Sequence, residues 1–446
     1  MLKNNNSYAI IFSVLLGLGV FQAKAADLTD IYRMAVDADP VFRTAKYNHQ
    51  ASREILPQAR AGYLPSVMAS FDWTRTKQEI LSSDNLLFQT GIARYDTRVI
   101  ELSLTQPVFR YGNFIRIRQA KIELKQADAE LEKAAQELML STAENYLFAL
   151  AAEDHLEYLK SERSAVENQL VLAKAMRKAK LGRESDLLEA DARLASVMAD
   201  YSEADVERRD AYEVLYEMTG EFPTQLKKLQ KEFPLVTPEP LDVNYWVDVA
   251  LKQNWELVVQ QELVEVSSLE VERQNAGHLP TVDLELRDNI KESGGTVFGG
   301  GSEVENREIM VAFRMPLYLG GAVSSKKREA VHRHQAEREE LIRISRKTKR
   351  ETEKGFRSIL NAIERINARG KEVAAQEEVL NLKQAGYRAN LFTSLSVLDA
   401  ERDLYSAKRD LAKARYEYVL NSLRLKAIVG EFSEADLTGL NQWLTF

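Results

Sequence analysis

Few residues in this chain have both the type and the spacing that chemistry requires. His332 and His334 lie two positions apart in a stretch that reads as helix. Residues sharing a helix face are three or four apart, so these rings point in different directions and make a poor metal pair. The clusters Gly294-Gly295 and Gly299-Gly300-Gly301 lack the Gly-Lys-Ser/Thr ending of a phosphate loop and read better as a flexible loop. Lys326 to Lys354 mixes Lys and Arg with Glu, the pattern of a solvated helix exterior rather than a nucleic-acid site. With no cysteine, a disulfide framework, a thiolate metal site and lipid attachment at an N-terminal Cys are all excluded. No catalytic, cofactor or metal set can be named, and the expectation is a non-enzymatic protein with no cofactor.

The positions that stand out instead recur in order. Ala61-Gly62-Tyr63-Leu64-Pro65-Ser66-Val67 is echoed 215 residues later by Ala276-Gly277-His278-Leu279-Pro280-Thr281-Val282. Pro107-Val108-Phe109 is answered by Pro316-Leu317-Tyr318, Leu187-Leu188-Glu189-Ala190 by Val397-Leu398-Asp399-Ala400, and Gly220 by Gly430. Four matches in order indicate one architecture used twice. The offset falls from 215 to 209 between the first two pairs, so the first hairpin is about six residues longer, a difference that belongs in a loop. The expected organisation is a signal peptide over 1–25, a first repeat over 26–220 with a hairpin near 66–107, and a Pro-rich connector over 221–242. A second repeat over 243–430 with a hairpin near 281–316 and a C-terminal segment over 431–446 complete it.

The signal peptide rests on Lys3, the apolar run Ile10 to Val20 and the small-x-small site Ala23-Lys24-Ala25. The full sequence has a net charge of −7, 28% charged residues and long Ala-, Leu-, Glu-, Lys- and Arg-rich stretches that favour helix. Asp27 to about Arg60 reads as one helix. Gly112 to about Lys180 and Gly321 to about Arg388 run without proline. At 1.5 Å per residue each could reach roughly 100 Å. Leu124, Leu131 and Leu138 recur every seven residues, as do Leu404, Leu411, Tyr418 and Leu425, and Ala120, Ala127 and Ala134 form a second row. Two packing rows suit a wall of helices.

Around the prolines the period changes to two. Val67, Ala69, Phe71 and Trp73 alternate with polar residues, as do Ile100, Leu102 and Leu104, then Val282, Leu284 and Leu286, then Ile309, Val311 and Phe313. These are four strands with one apolar face, of the length a membrane β-strand needs. No other stretch could span a bilayer. Open strand edges are not tolerated in lipid, so four strands per chain imply an oligomer. A trimer gives twelve strands and leaves more room for a lumen than an eight-stranded dimer.

The element order, the paired landmarks and the segment Tyr387 to Gly430, above all Val397 to Ala407, resemble the TolC family of outer-membrane efflux and secretion ducts. The resemblance implies a mainly α protein with membrane β-strands: one third of a twelve-stranded trimeric β-barrel continued by a long periplasmic α-barrel. It further implies a homotrimer in the Gram-negative outer membrane, in contact with its lipid, that meets a periplasmic membrane-fusion adaptor and an inner-membrane ABC or proton-driven transporter. The absence of an N-terminal Cys sets it apart from acylated members. Leu181 to Ala190 is similar to the helix turn of members serving type I protein secretion, which favours polypeptide export over a drug-efflux duct.

By the same resemblance, Asp399 matches an acidic ring at the periplasmic gate, Tyr387 a gate tyrosine, and Asp186 with Ser185 their polar partners on the first turn. Three carboxylates in a narrow pore favour cations. Ser396 stands where a second aspartate is usual and Phe392 where an arginine is, so this gate lacks that arginine link. Gly182, Arg183, Leu391, Phe392 and Leu395 at the turns are candidates for adaptor docking. A periplasmic coiled-coil scaffold is the competing reading from another class, one that would place the hairpins in protein contacts instead of lipid.

Overall fold

The computed structural model describes residues 26–82, 91–180, 182–295, 300–389 and 391–445; the signal-peptide expectation lies outside the described residues. The stretch expected as one opening helix is three: α1 (Leu28–Ala38), α2 (Pro40–Arg53) and α3 (Ile55–Ala61). The break falls where Asp39 turns its carboxylate onto the Phe42 amide, 2.6 Å away, and Pro40 takes the first position of the new helix, where its missing N–H costs nothing. The second copy breaks at the equivalent residue. Asn254, 215 positions on, separates α6 (Val243–Gln253) from α7 (Trp255–Asn275) and accepts a bond from the Leu257 amide at 3.1 Å.

Between these pieces come β1 (Ser66–Ile80), β2 (Gly91–Phe109), α4 (Tyr111–Lys178), α5 (Glu184–Thr219) and the short β3 (Lys228–Leu229). After α7 follow β4 (Thr281–Ser293), β5 (Ser302–Arg314), α8 (Ala322–Arg388), α9 (Ser394–Ile428), α10 (Glu434–Asn441) and β6 (Leu444–Thr445). With 68 and 67 residues, α4 and α8 run the length expected of them. Among the described residues no helix is long and apolar enough to cross a membrane.

The hairpins are not separate: β2 pairs with β4, and all four long strands form one antiparallel sheet ordered β1-β2-β4-β5. The register aligns Val67 with Leu104 and Leu286, Ala69 with Leu102, Phe71 with Ile100 and Ile290, and Leu284 with Val311. Their shared face is bare in the protomer, with Phe71 64% and Ile309 80% exposed. The strands outlast this apolar band. On the same face Arg307 pairs with Asp288 on the rung of Ala69 and Leu102, and Arg98 pairs with Glu292 one rung beyond Phe71, Ile100 and Ile290, so charges enter the face at that end. Both outer strands, β1 and β5, keep an open edge within the protomer.

On the other face, where sheet meets helix, Asp283 (1% exposed) and Glu285 (7%) are buried. Arg110, just before α4, donates to Asp283 at 2.8 Å, and Arg314 bridges Asp283 and Glu285 at 3.0 Å each. Arg287 donates to Glu285 at 2.8 Å. The first copy has Met68 and Ser70 at these positions, so the network ties only the second hairpin to the root of α4. Removing Asp283 strips Arg110 of its hydrogen-bonded acid and leaves Glu285 alone to answer Arg314 and Arg287. Asp283→Ala should therefore lower the temperature at which the assembled protein melts, measured by circular dichroism, well beyond the effect of Asp72→Ala at an exposed carboxylate.

The helices line up side by side, α2 against α4, α4 against α7, and α7 against α8, while beyond the middle α4 packs on α5 and α9, and α8 on α9. Ala120, Ala127, Leu138, Leu404, Tyr418 and Leu425 are buried, as their repeats anticipate. The main core sits at mid-length. There the Tyr146 hydroxyl donates to the Lys227 carbonyl at 2.9 Å, and Tyr418 accepts from the Val236 amide at 2.7 Å, fastening the proline-rich connector to α4 and α9.

Candidate gate at the helix turns

Both long helices reverse in tight turns. After α4, Lys180 takes a left-handed conformation (φ 59°) and the Gly182 amide returns to the Met176 carbonyl at 3.1 Å. A Cβ on Gly182 would lie 3.1 Å from both Met176 Cβ and the Arg177 amide nitrogen, so the closeness of the turn calls for glycine. Arg177 reaches across to Glu184 at 3.0 Å. After α8, the Leu391 amide returns to Gly386 at 2.8 Å, and Thr393 opens α9 by accepting from the Ser396 amide at 3.2 Å. The Phe392 ring folds back over Gly386, with the Lys383 ammonium 5.3 Å from its centre. Leu391 (77% exposed), Phe392 (44%) and Leu395 (42%) remain at the surface of the protomer.

Above the turns α4 and α9 run antiparallel and meet in layers. The Gln169 side chain donates to Ser394 Oγ at 2.6 Å, a buried bond between the two helices. One layer on, Val166 and Leu398 pack with Leu170, Ala190 and Val197. The third layer holds two buried carboxylates, Glu162 on α4 and Glu401 on α9. Arg193 of α5 donates to Glu162, while Glu401 accepts from Gln384 of α8 at 3.4 Å. Burial, and secondarily the charge of Glu162, pushes the Glu401 carboxyl above its ordinary value.

The residues singled out by resemblance are spread over this region. Tyr387 directs its hydroxyl at Met176 Sδ, 4.0 Å away, a weak contact that nonetheless joins the ends of α8 and α4. Ser396 is part of the α9 cap, its hydroxyl 3.0 Å from that of Thr393. Asp399 is half exposed and pairs at 3.5 Å with Arg402 on its own helix. Ser185 and Asp186 sit in the first turn of α5, where the helix dipole favours an acid, and Arg183 precedes it. Among the described residues no hydrogen bond or ion pair joins Asp399 to Asp186 or Ser185 within the protomer. The contacts that cross from one turn to the other are the weak one between Tyr387 and Met176 and the buried bond between Gln169 and Ser394. A signal for the latter existed, since Leu159, Glu162, Val166 and Gln169 follow the three-four spacing of one helix face.

The family model for outer membrane efflux proteins matches residues 31–221 and 246–431, and the chain belongs to that family. Among curated relatives, the proteases secretion protein PrtF of Dickeya chrysanthemi is 30% identical, with 98% of this chain and 95% of that protein aligned. The outer membrane protein TolC of Escherichia coli K12 is 28% identical, over 98% and 89%. Among solved structures, the Campylobacter jejuni CmeC outer membrane channel superposes with a TM-score of 0.78 at 15% identity, covering 94% of this chain and 90% of that one. The outer membrane protein VceC of Vibrio cholerae gives 0.74 at 19%, over 90% and 96%.

The chain is thus an outer membrane channel of the TolC family. Its fold class is the one expected: mainly α, with four membrane strands as one third of a trimeric twelve-stranded barrel continued by long helices. A periplasmic scaffold is not the class that this membership defines.

Proposed function

We propose that three copies of the chain form the outer-membrane duct of a type I secretion system, carrying polypeptides from an inner-membrane ABC transporter and its periplasmic adaptor to the exterior. The observation that carries the reading is the near full-length likeness to two relatives named for protease secretion: PrtF, and AprF of Pseudomonas aeruginosa, the latter 28% identical over 96% of this chain. Closure of the barrel by strands β1 and β5 of adjacent copies satisfies the open edges, and the bare apolar face meets lipid. The turns after α4 and α8 are the periplasmic gate and docking end. With Phe392 in place of an arginine, the gate is held by the buried Gln169–Ser394 bond and by apolar packing of Phe392 on its own turn.

The test is a strain lacking the chain. Expected is loss of exported polypeptide from the medium with little change in susceptibility to dyes and detergents; hypersensitivity with secretion intact would overturn the cargo assignment in favour of small-molecule efflux. At the gate, Asp399→Asn should reduce cation preference in planar bilayers, read as a shift of the reversal potential across a salt gradient towards zero. An unmoved reversal potential removes Asp399 from the pore.

A further inference from the structure

The third layer of the α4–α9 seam is built unlike its neighbours. Glu401 is 8% exposed, one of its carboxylate oxygens is buried without any hydrogen-bond partner, and the other has only the long bond from Gln384. A buried ionised carboxylate normally collects two or more donors, and an orphaned oxygen in a native interface calls for an explanation. The charged and titratable groups facing it do not supply a counter-ion. From α4 comes Glu162, itself a carboxylate; from α5 comes Arg193, whose guanidinium lies on Glu162. From α8 comes the neutral amide of Gln384. On α9 itself, Tyr405 is uncharged, and Arg402 is committed to Asp403 at 2.7 Å and Asp399 at 3.5 Å.

A protonated Glu401 fits this layer, because its neutral carboxyl can lie against apolar side chains and beside Glu162 without repulsion; an ionised one does not. We propose that closure of the duct is proton-dependent: the α4–α9 seam closes with one proton on Glu401 in each protomer, and loss of that proton lets α9 part from α4. The inference rests on reading the helix turns as the gate. The position of the layer suits a latch, since it lies one apolar layer beyond the Gln169–Ser394 bond. Separation there would carry the α9 turn with it.

The sign follows from where the proton is held. In an open, wetted seam Glu401 titrates near its ordinary value; in the closed seam burial raises it. The stabilisation of the closed state is therefore complete below the ordinary value and is lost as pH rises through the raised one. Within that window opening should become about tenfold more favourable per pH unit per protomer.

The experiment is a pH series of open probability for the purified trimer in planar bilayers, wild type against Glu401→Gln and Glu162→Gln. Glutamine keeps the size of the side chain and carries no titrating proton. Expected are opening of the wild type with rising pH, a closed and pH-insensitive Glu401→Gln over the same window, and a narrowed window in Glu162→Gln. Acids elsewhere in the pore, Asp399 among them, are common to all three proteins and cancel in the comparison. A Glu401→Gln duct that titrates like the wild type overturns the proposal; should that variant not assemble, an unaltered profile in Glu162→Gln does so. A Gln169→Cys/Ser394→Cys bridge separates the two levels. If bridging leaves conductance unchanged, the gate reading itself falls, whereas bridging that closes a duct whose Glu401→Gln variant titrates normally removes the proton latch alone.

Discussion

Bridging the cysteines of a Gln169→Cys/Ser394→Cys variant with a short, cleavable bifunctional thiol reagent should shut the duct, and reduction should reopen it. The native chain contains no cysteine, so the introduced pair is the sole target of the reagent. The two native side chains touch at 2.6 Å and are buried, one near the end of α4 and the other the first residue of α9. A neutral hydrogen bond is worth only about 0.5–1.5 kcal/mol net, so the native link can yield when a partner complex pulls on the turn. A covalent bridge cannot. If the cargo is polypeptide, as proposed, secretion through the bridged duct should fall to that of a strain without the protein, while the trimer keeps its mass and its heat stability. Each single-cysteine variant, treated alike, should export at least half as much as the wild type. Conductance that persists after complete bridging, verified by mass spectrometry of the α4 and α9 peptides, would show that the seam does not part when the duct opens.

That bond illustrates which parts of the molecule a single sequence discloses. Periodicity announces what repeats: Val67, Phe71, Ile309 and Phe313 mark the strands, Ala120, Ala127 and Leu138 the helix rows, and all occupy the faces their spacing requires. Landmarks common to both copies were equally legible. Contacts between elements distant in sequence were not, because no local pattern says which layer meets which. Gln169 continues the helix face of Leu159, Glu162 and Val166, but only the antiparallel register of α4 and α9 shows that Ser394 is what it meets. Asp283 and Glu285 read as the wet face of a strand, yet both are buried under arginines from β2's end, β4 and β5. Asp39 and Asn254 were legible in principle as caps, but each lies inside an otherwise helical composition that conceals the break. Joining of the two hairpins through β2 and β4 likewise depends on how the copies pack, which neither repeat encodes by itself.

The duplication also makes one comparison unusually clean. Gly220 and Gly430 close the two repeats, and both are left-handed, at φ 73° and 79°. On backbone conformation alone, alanine at either should cost about 1–2 kcal/mol, since an L-residue's Cβ crowds the following carbonyl in that region. Their surroundings differ. A Cβ on Gly220 would lie 3.9 Å from Ala38 Cβ, an ordinary contact, whereas one on Gly430 would stand 2.3 Å from the Gln253 carbonyl oxygen and 2.8 Å from its carbon. Gln253 cannot swing aside as a side chain would, because it is backbone at the end of α6, one residue before the Asn254 break, and Asn254 is itself bonded to the Ile428 carbonyl at 2.8 Å. Relief requires moving the α6–α7 corner off the end of α9, which disturbs a packed core. Gly430→Ala should therefore lose on the order of 4 kcal/mol, in the range where single substitutions become exceptional, and deliver little trimer to the outer membrane. Gly220→Ala should assemble and melt only a few degrees early. Equal melting temperatures for the two variants, followed by circular dichroism on detergent-extracted protein, would mean that the second corner does not hold the close backbone approach that sets the two repeats apart.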